Sequence, residues 1–75
     1  MDIKEFIENF AGEFDETPMD VFTPQTDYKT LAEWNSLTAL SLVSMVDEVH
    51  GKTITGADLR KHTTIEDLAH FIESL

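Results

Sequence analysis

The sequence predicts an all-α domain: a small four-helix bundle of three long helices and one short helix, with a long packed loop between helices 1 and 2. Apolar residues recur at helical spacing in three segments, and no segment alternates apolar and polar residues as a strand does. The 75 residues can build one small core and include no cysteine, which excludes a disulfide framework and a cysteine zinc site. Residues 1–75 are therefore predicted to form a single domain.

The first helix is predicted from the N-terminal segment, whose apolar residues fall on one narrow stripe of a helical wheel. The stripe consists of Ile3, Phe6, Ile7, Phe10, Ala11 and Phe14. Four acids lie on the other face, and we interpret them as solvated: Asp2, Glu5, Glu8 and Glu13.

Residues 15–35 lose this periodicity and contain Pro18 and Pro24, which predicts a loop. Loops of this length are uncommon in small domains, so this one is expected to pack its own side chains on the core. Its apolar residues are Met19, Val21, Phe22, Tyr28, Leu31 and Trp34. We expect Trp34 to cover the core and one helical turn to form within residues 27–33.

The second helix is predicted to begin at Ser36, because Asn35 is a strong N-cap residue type, and to end near His50, before Gly51. On a helical wheel, its buried face comprises Ala39, Leu42, Val43, Met45, Val46 and Val49. Leu37 and Leu40 fall outside that face, among serines and acids. We therefore expect them to be exposed, as in a surface for transient docking.

The last two helices follow from local signals. Residues 57–61 are long enough for a short third helix, preceded by Ile54 as an inward anchor. The fourth helix is predicted from a capping box with Thr63 at the N-cap and Glu66 at N3. Its apolar positions are Ile65, Leu68, Ala69, Phe71, Ile72 and Leu75.

Fifteen acids against five bases give a net charge of −10, which disfavours nucleic acid and anionic lipid as ligands and favours protein partners with basic surfaces. No apolar run approaches the roughly 20 residues that span a bilayer, and the first residues lack the features of a signal peptide. We therefore expect a cytoplasmic, monomeric protein without membrane insertion.

The sequence offers no catalytic or metal-binding constellation. His50, His62 and His70 lie in separate segments, so no metal site is predicted. Ser36 lacks the Gly-x-Ser-x-Gly elbow and has no base near it in sequence. A helix start carries about half a positive charge and would stabilise a phosphate by roughly 0.3–1 kcal/mol. Ser36 is thus interpreted as an attachment point rather than a nucleophile, and the protein as a non-enzyme.

Four stretches of the chain resemble the acyl carrier protein family. They are residues 23–28, residues 31–43, which contain Trp34-Asn35-Ser36-Leu37, residues 45–48 with Leu59, and residues 64–68. The resemblance covers essentially the whole chain. It implies that a phosphopantetheinyl transferase uses coenzyme A to attach a covalent 4'-phosphopantetheine arm to Ser36. The thiol of the arm would hold acyl groups as thioesters.

The resemblance also implies a docking surface on the second helix for acyl-loading and acyl-processing enzymes with basic surfaces. The docking residues would be Asn35, Leu37, Leu40, Asp47 and Glu48. An acyl chain would enter the bundle against a pocket wall formed by Leu42, Val46, Ile54, Leu59, Ala69 and Ile72.

Asn35 departs from the family, which usually has Asp before the serine. Asn caps a helix as well as Asp does, but it cannot form a charged pair with an Arg or Lys of the transferase. The leading hypothesis is an acyl carrier in fatty-acid, polyketide or related specialised acyl biosynthesis. The alternatives are an unmodified carrier-fold module that binds a protein through Leu37 and Leu40, and an aminoacyl or peptidyl carrier.

Overall fold

The computed structural model describes all residues from Met1 to Leu75 and contains four α-helices and no strands. The helices are α1 (Ile3–Ala11), α2 (Ser36–Met45), α3 (Gly56–Lys61) and α4 (Ile65–Glu73). The predicted all-α class, with three longer helices and a short third one, is confirmed. Asp2 is exposed, as predicted, and it also caps α1, since its Oδ1 accepts from Lys4 N at 3.0 Å and Glu5 N at 3.3 Å.

The second helix begins and ends where the sequence predicts. It starts at Ser36, and beyond Met45 it continues as one π-helical turn, Val46–His50, to Gly51. Gly51 has a φ of 65°, a left-handed conformation that glycine adopts without steric cost. The prediction that Val49 is buried is wrong, because its side chain is 50% exposed. The wider π turn changes the angular position of each residue, so the wheel drawn for an α-helix fails there.

The loop between α1 and α2 packs on the core, as expected. It forms two short 3₁₀ turns, Met19–Val21 and Tyr28–Thr30, the second within the predicted range. Tyr28 is fully buried, and its hydroxyl donates to the Leu59 carbonyl oxygen at 2.5 Å. Burial, together with the nearby Asp27 charge, raises the pKa of Tyr28 well above its usual range. The phenol therefore stays neutral and fastens the loop to α3.

Not every apolar residue of this loop lies against the core. Met19 and Val21, in the first 3₁₀ turn, are exposed, whereas Phe22 is buried. Trp34 is half-buried, with its ring centroid 5.2 Å from that of Tyr28, and covers the core edge as predicted.

The predicted cap of α4 is wrong by one residue. The N-cap is Thr64, whose Oγ1 accepts from Asp67 N at 3.1 Å while Asp67 Oδ2 accepts from Thr64 N at 3.2 Å. The pairs Thr63/Glu66 and Thr64/Asp67 both fit the capping-box pattern, and contacts with the loop decide between them. Thr64 forms an isolated antiparallel bridge with Asp27, and Ile65 N donates to a loop carbonyl. The helix consequently starts at Ile65.

One apolar core holds the bundle together, and no charged side chain is buried in it. Its fully buried members come from every helix and from the loop: Phe6, Phe10, Tyr28, Leu42, Val46, Leu59, Ile65, Leu68 and Ile72. His50 packs against it, with its ring centroid 5.3 Å from that of Phe6. None of the helices is both long enough and apolar enough to cross a membrane.

Candidate functional site

The candidate site is built on the first turn of α2. Asn35 has an extended backbone, and its Oδ1 accepts from Leu37 N at 2.8 Å and from Thr38 N at 3.0 Å. Thr38 Oγ1 accepts in turn from Asn35 N at 2.9 Å. This reciprocal cap satisfies two of the free N–H groups of the helix start and fixes the backbone on both sides of Ser36.

The hydroxyl of Ser36 is free for chemistry. Ser36 is exposed, and the hydrogen bonds of this helix start join Glu33, Asn35, Leu37 and Thr38 without engaging its Oγ. No general base hydrogen-bonds to it, so nothing in this chain activates Ser36 as a nucleophile. An external enzyme could reach this oxygen directly.

The charge around this helix start differs from that at the other three. An acidic side chain lies in the first turn of α1, α3 and α4, whereas α2 has none. The positive end of the α2 dipole is therefore not compensated by a carboxylate in its own first turn. A covalently attached phosphate fits this position, because it would supply the missing negative charge beside an accessible oxygen.

Ser36 lies at the rim of a surface groove between α2 and α3. This groove, called the Ser36 groove below, has a volume of about 190 Å³. Its lining residues are Ser36, Ala39, Leu40, Val43, Gly56 and Arg60. An adjoining depression shares Ser36 and Arg60 and extends to Trp34 and Asn35. An arm attached at Ser36 thus has an apolar strip and one cation within the same concave surface.

The predicted docking residues are all exposed. Leu37 is 75% and Leu40 63% exposed, and Asp47 and Glu48 also face solvent. Asn35 is exposed as well, but its Oδ1 is occupied by the cap.

A second groove, of about 370 Å³, borders the docking residues Leu40 and Glu48. Its other lining residues are Glu13, Ser41, Ser44, Met45 and Val49. Sequence reasoning missed Glu13 and Val49 as members of this surface. The α-helical wheel assigned Val49 to the core, and nothing near Glu13 in sequence indicates that the end of α1 meets the middle of α2.

The six predicted pocket residues come together, but as packed core. Leu42, Val46, Ile54, Leu59, Ala69 and Ile72 are all buried, and none of them lines a surface groove. Their burial is what an ordinary core requires, so a role in enclosing an acyl chain stays a prediction.

The Glu33 carboxylate, which lies outside the groove, connects the loop to the start of α2. Glu33 accepts hydrogen bonds from the Thr17 hydroxyl, from Glu16 N at 3.0 Å and from Asp15 N at 3.1 Å. The Thr17 bond, with these backbone bonds, lowers the pKa of Glu33. The Glu33 carbonyl oxygen also accepts from Thr38 Oγ1 at 3.1 Å. Glu33 thus ties the loop start to the cap of α2.

The histidines are dispersed. His50, His62 and His70 each lie at the end of a helix, and His62 packs on Phe71 with ring centroids 4.7 Å apart. No group of three or more His, Asp or Glu side chains is arranged to hold a metal ion.

Comparison with known protein families identifies the family of the chain. The family model described as "Phosphopantetheine attachment site" matches residues 4–72, which is nearly the whole chain. No curated protein and no solved structure gives a significant match. The accessible, uncompensated helix start agrees with a family that carries a phosphate-linked group. The chain belongs to the phosphopantetheine attachment site family, whose members are non-catalytic carriers that bear a covalent 4'-phosphopantetheine and act with a phosphopantetheinyl transferase and partner enzymes.

Proposed function

We propose that the protein is an acyl carrier and that Ser36 is the residue to which phosphopantetheine is attached. One observation carries the assignment: Ser36 is an exposed serine with a free hydroxyl at the only α-helix start that lacks an acid in its first turn. A phosphodiester on Ser36 Oγ would be stabilised by the positive end of the α2 helix dipole.

The bound arm would supply a thiol, which holds an acyl group as a thioester. The protein itself supplies no thiol, since it contains no cysteine. Its own contribution is to present the Ser36 hydroxyl at a helix start that is fixed by a reciprocal cap. We assign it to fatty-acid, polyketide or related specialised acyl biosynthesis, and we expect it to act as a monomer.

Partner enzymes would bind the exposed face of α2. Leu37 and Leu40 provide apolar anchors beside Ser36, and Asp47 and Glu48 provide negative charge at the other end of the helix. Within a chain of net charge −10, this combination suits a partner that has a basic rim around an apolar patch. Glu13 and Val49 extend the same surface through the larger groove.

Incubation with coenzyme A and a panel of phosphopantetheinyl transferases, followed by intact mass measurement, tests the attachment site. We expect one phosphopantetheine adduct on the wild-type protein and none on Ser36→Ala. The matched controls are Ser41→Ala and Ser44→Ala, which alter other serines of α2 and should still be modified. An adduct on Ser36→Ala would overturn the assignment, and so would an unmodified wild-type protein with every transferase, including the one native to its source.

A further inference from the structure

Arg60 is the only cation that lines any of the three surface grooves. It shares the Ser36 groove and the adjoining depression with Ser36, although 24 positions separate the two residues in the sequence. The chain has only five Lys and Arg residues against fifteen acids. The charge near the one helix start that lacks an acid is therefore positive, whereas the protein as a whole is strongly acidic.

The guanidinium of Arg60 has no partner within the chain. The single ion pair joins the N-terminus to Glu73, and no hydrogen bond involves the Arg60 side chain. By contrast, the Nζ atoms of Lys29 and Lys52 each donate to a backbone carbonyl oxygen. The N–H donors of the Arg60 guanidinium are thus all unpaired, although most ionisable groups of this chain are acids.

The Arg60 guanidinium lies beside Gly56. A methyl group at position 56 would lie 3.4 Å from Arg60 Nη1, which is about van der Waals contact. Gly56 and Arg60 are four residues apart on α3 and form one wall of the Ser36 groove. Because the planar guanidinium can bind two oxygens of a phosphate at once, this placement suits a phosphodiester better than it suits a neutral group.

We infer that Arg60 binds the phosphodiester formed on Ser36 and thereby holds the base of the phosphopantetheine arm in the Ser36 groove. The inference rests on the proposed attachment at Ser36. Arg60 acts here as a positioning residue: it touches the phosphate but takes no part in forming the bond. The negative charge of the phosphodiester would then meet the α2 helix dipole on one side and the Arg60 guanidinium on the other.

A thermodynamic cycle that combines modification of Ser36 with the substitution Arg60→Gln tests this role. Wild-type protein and Arg60→Gln are each prepared unmodified and fully modified, as verified by intact mass, and their melting temperatures are compared. We expect the change in melting temperature on modification to be more favourable in the wild type than in Arg60→Gln by about 2–4 °C at low salt. The difference should shrink in 1 M sodium chloride, which screens exposed charges.

Nuclear magnetic resonance of the same samples reports the contact directly. The Arg60 Nε resonance should shift on modification, and the ³¹P resonance of the phosphodiester should move in Arg60→Gln. Lys61→Gln is the matched control, because it removes one positive charge from an exposed neighbour that lines no groove. It should leave the ³¹P resonance and the coupling unchanged.

The two proposals fail in distinguishable ways. Absence of an adduct on Ser36 would refute the attachment itself. A fully modified protein in which Arg60→Gln and Lys61→Gln behave alike, with no shift of Arg60 Nε, would overturn only the role of Arg60.

Discussion

The starts of α2 and α4 have similar caps but differ in charge and exposure. Each has a reciprocal side-chain cap, made by Asn35 with Thr38 at α2 and by Thr64 with Asp67 at α4. At α4, two acids lie in the first turn and the next residue, Ile65, is buried and bonded to the loop. At α2, no acid follows the cap and the next residue is an exposed serine.

The same kind of cap thus occurs at a helix start that is closed by contacts within the chain and at one that is left open to an external group. The α4 start is satisfied within the chain, since acids offset its dipole and a loop carbonyl accepts from Ile65 N at 3.2 Å. The α2 start has no acid in its first turn and exposes Ser36, so the proposed phosphodiester would offset its dipole. Changes at the α4 start should therefore alter stability alone, and changes at the α2 start should also alter modification.

The largest expected effect is on the free energy of unfolding, and it should differ between a leucine of α4 and a leucine of α2. Leu68 in α4 is fully buried, so Leu68→Ala should lower the free energy of unfolding by about 2–5 kcal/mol. Leu37 in α2 is mostly exposed, and Leu37→Ala should change it by less than about 0.5 kcal/mol. Urea unfolding measures both.

Ile65→Val provides a milder core variant if Leu68→Ala does not fold, with an expected loss of about 0.5–1.5 kcal/mol. Destabilisation by Leu37→Ala as large as that by either core variant would contradict the expected difference between the two helices.

The caps should give the next largest effect. Thr64→Ala and Asn35→Ala should each lower the free energy of unfolding by about 1 kcal/mol, because each leaves helix-start N–H groups without their acceptor. Only Asn35→Ala should also slow modification of Ser36. Urea unfolding and a timed mass assay separate the two readouts.

Thr63→Ala is the matched control for the α4 cap, since Thr63 is exposed and makes no capping bond. Equal destabilisation by Thr63→Ala and Thr64→Ala would contradict the observed cap, and slow modification of Thr64→Ala would contradict the separation of roles.

Low pH should destabilise the protein in part through protonation of Glu33. The pKa of the Glu33 carboxyl is lowered in the folded protein, mainly by the Thr17 hydroxyl and also by backbone N–H groups. A group with a depressed folded pKa stabilises the fold above its unfolded pKa, about 4.3 for Glu, and loses that contribution as the pH falls through the folded value. The melting temperature should therefore decrease when the pH is lowered below about 4.

Glu33→Gln should remove part of this pH dependence, as measured by melting temperatures between pH 6 and pH 3. Glu8→Gln removes an exposed acid with no side-chain hydrogen bond and serves as the control for net charge. Identical pH profiles for Glu33→Gln and Glu8→Gln would show that the Glu33 bonds contribute nothing. Asp67, whose pKa is lowered chiefly by its bonds with Thr64, accounts for a remaining part of the acid sensitivity.

The smallest effect on stability is expected from Asn35→Asp, because both residue types cap helices equally well. The carboxylate could pair with a basic group of a transferase, so modification should be faster by about three- to tenfold. The measurement is the initial rate of adduct formation. Thr53→Asp adds the same charge at an exposed site outside the α2 start, and equal acceleration by both variants would show that position is irrelevant.

Much of the site could be predicted because its signals lie close together in the sequence. Asn35 marks the start of α2, the helical period exposes Leu37 and Leu40, and the residues around Ser36 resemble a known family. Helix bonds and caps are themselves contacts between residues at most four positions apart, so the local sequence suffices to place them.

The local sequence was sufficient to predict the helices, the packed loop and Ser36 as the candidate attachment residue. Three features became visible only in the folded structure: Thr64 rather than Thr63 caps α4, a π turn carries Val49 to the surface, and Arg60 lines the same groove as Ser36. The first and third depend on contacts between residues far apart in the chain, and the π turn departs from the single helical period assumed by a wheel. No local pattern encodes such contacts, because they form only when the loop and α3 pack against the rest of the bundle.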